Sequence, residues 1–416
     1  MAERRTKREI AMVVAGLAIV VAAVGPLALQ WLTNAPDQRM VDLDVYRSGG
    51  QAVLRGAPVY DFMTQPPQLL PFTYPPFAVL IAVPLAFVPW SVAQWLWAAL
   101  ILLALTITVR YAFRPLLARF PGWAPVLTGI IVALCAYPMP LRDQFRFGQV
   151  DVFLMAMCVA DCAAPRTRWP RGLLVGLATA IKLVPGVFIV YFLVTGRRRE
   201  AVTAVVGAAV VSLGTFLILP ADSADYWFRA LFDSERLGSN TATTNQSIRG
   251  MLLRAYLPDS VASALWLLCA AVIAYVGFRA ARRTALRGDE IGGIAITGLV
   301  GVLVSPVSWI HHFAWLVVVL GALVGTGRDW RALALAAGAW LFYVLTIPWW
   351  GIDLLAYHTG PRPIGRIVQD AYGLGALGLL FVFHRRRSVG KIPERESESD
   401  RVDASRDEPR VGTLGP

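Results

Sequence analysis

Long apolar runs separated by short polar connections dominate the chain, and the first, Ile10 to Leu32, contains no charged residue. At about 1.5 Å per residue, a helix of that length crosses the roughly 30 Å of hydrocarbon in a bilayer. Further apolar segments follow at about 74–90, 91–113, 122–140, 148–165, 171–197, 199–220, 258–279, 291–308, 310–327, 330–350 and 366–384. The pattern predicts an all-α integral membrane protein with about 12 transmembrane helices. Two segments do not count cleanly: 74–90 holds Pro75, Pro76, Pro84 and Pro89, and 171–197 is interrupted by Lys182 and Pro185. Reading one of them as broken and the other as a crossing gives an even total, with both termini on one side.

Charge then orients the pattern. Cationic residues gather at segment ends: Arg110 with Arg114 and Arg119, the run at 166–171, Arg197 to Arg199, the run at 279–283, Arg328 with Arg331, and Arg385 to Arg387. By the positive-inside rule these ends are cytoplasmic, residues 1–9 form a cytoplasmic N-terminus, and the polar stretch 41–77 lies outside. The first run is read as a retained helix rather than a cleaved leader, because it is long and lacks a small-residue cleavage site. Residues 10–384 form the transmembrane domain. The tail 385–416 alternates charges with few bulky apolar residues, so it is expected to be disordered in the cytoplasm.

Composition agrees with a bilayer as solvent: 56% of residues are hydrophobic and 16% charged, with a mean hydropathy of +0.57. A net charge of +12 does not point to nucleic acid here, since the cations sit at the ends of apolar runs. Cys135, Cys158, Cys162 and Cys269 all fall inside apolar segments, and neither a disulfide framework nor a metal site follows.

Chemistry must come from polar groups on the outer side, and five patches collect there: Asp42 with Asp44, Tyr74–Pro76, Arg142–Asp151, Asn245–Gly250 and Ser305–Trp315. Asp42 or Asp44 could remove a proton from an attacking hydroxyl, or simply cap a short helix. Arg142, Arg146, Lys182, His311 and His312 suit the oxygens of a departing phosphate. Lys182 stands inside an apolar run, where an ionisable group is costly and by default functional, with snorkelling as its plain alternative. Adjacent histidines on a helix point to different sides, which argues against His311 and His312 sharing one metal. Asn245 and Gln246 suit sugar hydroxyls or a helix cap.

The stretches DLDVYRSGG with GQAVLRG (42–56), FTYPPFAVL (72–80), FGQVDVFLM (147–155), GLATAIKLVPGVFIVYFL (176–193), NQSIRG (245–250) and SPVSWIHHFAW (305–315) resemble the actinobacterial polyprenol-phosphate-mannose-dependent α-(1→2)-mannosyltransferases of glycosyltransferase family 87. The similarity runs through nearly the whole membrane portion. It implies a multi-spanning type C glycosyltransferase fold, a plasma-membrane enzyme with its site on the outer face, and inverting transfer of mannose from a polyprenyl-phosphate donor to a mannosylated inositol glycolipid. The family pattern D-L-x-V-Y falls on Asp42, Leu43, Val45 and Tyr46, giving Asp42 the role of base and leaving Asp44 in reserve. His311, His312, Lys182, Arg142, Tyr74 and Gln149 become the expected donor contacts, and Tyr46, Asn245, Gln246 and Trp309 the expected acceptor contacts. No cofactor and no metal are implied; the partners are the two lipid substrates and the bilayer. A polyprenyl-phosphate arabinose transferase, or a lipid or solute transporter, is the alternative reading.

Overall fold

The computed structural model describes residues 2–35, 38–356 and 362–385. Every extended element in it is helical, and pairing between strands is limited, among the described residues, to two isolated β-bridges, Met63 with Pro71 and Asn245 with Trp309. Residue 1 and the expected cytoplasmic tail beyond Arg385 lie outside the described residues.

Among the described residues, four helices are long and apolar enough to cross a bilayer: Thr6–Leu32 (the apolar part of α1, Ala2–Leu32), Trp90–Ala112, Arg198–Ile218 and Asp259–Leu286. Three bent pairs bring the number to seven when each is taken as one span: Pro121–Cys135 with Met139–Phe147 (83°), Trp330–Val344 with Ile347–Ala356 (50°), and Arg362–Gln369 with Ala371–Arg385 (65°). These long helices carry bare apolar side chains such as Val21 (69% exposed), Leu213 (65%) and Leu217 (89%), which only a lipid solvent accommodates.

The remaining apolar runs are short and broken. The expectation of about 12 crossings took all but one of the runs as straight spans. Both doubtful segments are in fact interrupted, where the sequence reading had broken only one. Residues 74–90 form the helix Pro76–Ala82 followed by a 3-10 turn, Val83–Phe87. In 171–197 the helix Leu173–Ile181 stops at Lys182, whose backbone is extended (φ −152°, ψ 132°), and resumes as Val187–Val194. Pro185 lacks the N–H that a continuous helix would need at that point.

Two departures position the site. The polar stretch after the first helix, which the apolar pattern assigned to no helix, contains the amphipathic helix Val41–Leu54 with Asp42 and Asp44 in its first turn, where carboxylates favour the helix dipole. This helix, α2, buries Val41, Leu43, Val45 and Tyr46, and a Cβ at Gly50 would come within 2.8 Å of the Ala82 carbonyl oxygen, so the helix lies directly on the segment 76–87. The second departure is the sharp bend before Met139–Phe147. That helix ends at Gly148 in the left-handed region (φ 71°), where a Cβ would stand 2.8 Å from Leu43 Cβ, so a glycine lets the chain turn against the start of α2.

Candidate active site

The turn at Gly148 delivers Gln149 to Asp42. Gln149 is buried, and its Oε1 accepts hydrogen bonds from Tyr74 (3.2 Å) and Tyr46 (3.4 Å). The two tyrosine hydroxyls also bond to each other at 2.9 Å. With its oxygen taken by tyrosines, the Gln149 amide turns its N–H groups to the Asp42 carboxylate, which it hydrogen-bonds.

Next to this group lies a second one. Lys182 donates to Asp151 Oδ1 at 2.8 Å and to His312 Nε2 at 3.0 Å, and its ammonium lies 5.4 Å from the centre of the Tyr74 ring. His311 Nε2 and His312 Nε2 approach Asp151 Oδ2 at 3.9 and 4.0 Å. The backbone break at Lys182 is what frees its side chain to reach across, since a residue in mid-helix would be held to the helix surface. Asp151 opens the helix Asp151–Ala163. Gln144 ties the groups together: its Nε2 donates to the His311 carbonyl (2.7 Å), and its own carbonyl accepts the Gln149 N–H (3.0 Å).

The histidines correct an expectation. His311 and His312 lie in a 3-10 turn, Ile310–Trp315, rather than an α-helix, and their rings stand 4.6 Å apart with both Nε2 atoms directed at Asp151. With Asp151 they make a triad whose ligand atoms fall within 4.8 Å of one another, a spacing that fits a metal. The Lys182 ammonium, however, already sits 2.8 Å from Asp151, so a divalent cation there would meet a positive charge at close range.

Asp42 and Asp44 are separated by the helix itself. Two residues turn a helix by about 200°, so the two carboxylates face opposite ways. Asp42 feels Lys182 and Asp151, whereas Asp44 feels Arg47. Burial pushes the Asp42 carboxyl up from its ordinary 3.8 to about 7; the Gln149 hydrogen bond and Lys182 act downward, and the Asp151 charge acts upward. A group held protonated below that value contributes most to folding at acid pH, and that contribution is lost as pH rises through about 7. If Asp42 serves as a base, catalysis runs the other way, because a base must be ionised. The initial rate is therefore expected to rise with pH and level off near 7, falling about tenfold per pH unit on the acid side; a pH–rate profile of the wild type checks this.

The other expected contacts divide. Trp309 is partly exposed and pairs with Asn245 through a β-bridge. Asn245 and Gln246 are fully buried and engaged with backbone: Asn245 Oδ1 accepts from Ser308 N (3.0 Å) and Ser247 N (3.2 Å), while Gln246 Nε2 donates to the Gln369 carbonyl (2.8 Å) and its Oε1 accepts from Gly373 N (3.0 Å). Their amides thus join three segments of backbone. Arg142 makes no hydrogen bond to the cluster, and its Nε is buried without a partner. Asp151 and Gln144 were missed, although both stand in quoted polar patches; an acidic residue opening an apolar helix was the signal for Asp151.

The profile of glycosyltransferase family 87 matches residues 72–306. The chain is similar to a polyprenol-phosphate-mannose-dependent alpha-(1-2)-phosphatidylinositol mannoside mannosyltransferase of Mycolicibacterium smegmatis, 36% identical over 361 residues and 80% of each chain. Its counterpart of the same description in Mycobacterium tuberculosis is 35% identical over 90% of each chain. A phosphatidylinositol pentamannoside mannosyltransferase of M. tuberculosis is 33% identical over 92% of this chain and 88% of its own. No solved structure matches.

Proposed function

The chain belongs to glycosyltransferase family 87, and on that premise we propose that the Asp42 cluster transfers mannose from polyprenol-phosphate mannose to a phosphatidylinositol mannoside through an α-(1→2) link. The protein is a membrane mannosyltransferase, and the observation that carries the mechanism is the juxtaposition of one helix-borne carboxylate, Asp42, with the Lys182–His312 pair.

Asp42 takes the proton of the acceptor 2-hydroxyl as its oxygen attacks C1 of the donor mannose. The C1–O bond to phosphate breaks, polyprenyl phosphate leaves with the electron pair, and attack from the opposite face inverts the anomeric centre. A phosphate anion departs without being protonated, so the site needs cationic donors where a glycosidase would need a second acid. Lys182 has three N–H donors and uses two, on Asp151 and His312, so one remains for a phosphate oxygen. Asp151 positions that ammonium and both histidines. Tyr74, Tyr46 and Gln149 line the sugar side, and Trp309 stands at the edge; Asn245 and Gln246 support the histidine segment from behind. This reading puts the site on the outer face; the cationic ends at Arg197–Arg199 and 279–283 support it, since by the positive-inside rule such ends are cytoplasmic.

Purified protein in proteoliposomes, given labelled polyprenyl-phosphate mannose and a phosphatidylinositol mannoside, is expected to form a labelled product that an α-(1→2)-specific mannosidase strips. A label resistant to that enzyme, or transferred equally from an arabinose donor, contradicts the reading. The same assay tests the triad. Because Lys182 supplies the positive charge beside Asp151, chelation with EDTA is expected to leave the rate unchanged; loss on chelation with recovery on adding a divalent cation would assign the triad to a metal.

A further inference from the structure

The helices Val187–Val194 and Asp259–Leu286 line a cavity of about 620 Å³. Its body is apolar, formed by Val190, Tyr275 and Phe278, and one end carries Arg279, Arg282 and Arg283. Positions 275, 278, 279 and 282 follow helical spacing, so the rings and the guanidinium groups share one face of the long helix. Tyr275 is 67% exposed, which leaves the cavity open to the surroundings of the span.

The arginines at this end are short of partners. Arg283 donates to His384 Nδ1 at 3.1 Å. Among the described residues, Arg279 and Arg282 have neither a hydrogen-bond nor an ion-pair partner. Nearby Arg197 is different, because Glu290 pairs with it at 2.9 Å and neutralises it. Uncompensated positive charge at the cytoplasmic end of an apolar, laterally open groove matches one chemistry: a phosphate headgroup continuous with acyl chains. The volume is within the range of about 300–1,000 Å³ that small-ligand pockets occupy.

We propose that this groove binds one anionic phospholipid of the cytoplasmic leaflet, its phosphate held by Arg279 and Arg282 and an acyl chain lying along Val190, Tyr275 and Phe278. The lipid is a bound component of the fold, on the face opposite the proposed transfer site, and the proposal stands whichever sugar the enzyme transfers.

Thermal unfolding of the full chain in detergent, with added phosphatidylglycerol or phosphatidylcholine, tests it. Ligand that binds only the folded state raises Tm by mass action. Phosphatidylglycerol is expected to give a saturable rise in the wild type and in Arg331→Gln, a variant at a different cationic end. Phosphatidylcholine is expected to give none, and Arg279→Gln/Arg282→Gln is expected to lose the rise. Ala274→Trp, which keeps the arginines and fills the groove, is expected to lose it as well, so the test holds even if the double variant folds poorly. No rise in the wild type, an equal rise with phosphatidylcholine, a full rise in either groove variant, or its loss in Arg331→Gln would each overturn the proposal.

Discussion

Replacing Asp42 by asparagine is expected to lower mannosyl transfer by about 10²–10⁴-fold, the usual contribution of a positioned general base. Asparagine keeps the size and the hydrogen-bonding capacity toward Gln149 but has no lone pair basic enough to accept the hydroxyl proton. The substitution also removes a carboxylate whose ionisation burial disfavours, so the variant is expected to be no less stable than the wild type near neutral pH. A large loss of rate with an unchanged Tm therefore separates chemistry from folding. Donor binding, read by retention of labelled donor in the same proteoliposomes, is expected to persist, because the proposed mechanism assigns the phosphate contacts to Lys182 and the histidines.

Lys182→Met carries the second large effect. Methionine fills similar space without a charge, so the cation that the proposed mechanism sets against the leaving phosphate is lost, at a cost of about 10²–10³ in rate if it resembles the loss of an oxyanion donor. Asp151 loses its 2.8 Å partner at the same time, and an unpaired carboxylate in a partly buried site destabilises the fold. A distinctive signature follows from Asp42. Lys182 lowers the Asp42 carboxyl and Asp151 raises it, so the acid limb of the pH–rate profile should move to higher pH in Lys182→Met and to lower pH in Asp151→Asn. A purely structural role for Lys182 would leave that limb in place, and an unmoved limb would count against the proposed arrangement.

Part of this site is written locally in the chain. The unbroken apolar run before Asp42, the cationic segment ends and the lysine inside an apolar segment are legible because each rests on one physical rule applied over a few residues. Resemblance to the family drew attention to Asp42 ahead of Asp44; the helix Val41–Leu54 supplies a reason, since the two carboxylates face opposite ways. What stayed hidden depends on long-range packing. The pairing of Lys182 with Asp151 joins residues 31 positions apart, and the contact of Gln144 with His311 spans 167. The histidine pair misled for a simpler reason: α-helical spacing was assumed where a 3-10 turn brings both rings to one carboxylate. The backbone partners of Asn245 and Gln246 were equally hidden, since polar residues between apolar segments do not reveal which distant segments their amides join.

The measurement that bears most directly on the proposed mechanism compares initial rates of Asp42→Asn and Asp44→Asn side by side, with labelled polyprenyl-phosphate mannose and a phosphatidylinositol mannoside. Both variants remove one carboxylate from the first turn of the same helix and keep the size of the side chain. The account predicts a loss of about 10²–10⁴-fold in Asp42→Asn and a rate close to wild type in Asp44→Asn. Near-wild-type transfer by Asp42→Asn, or equal losses in both variants, would contradict it.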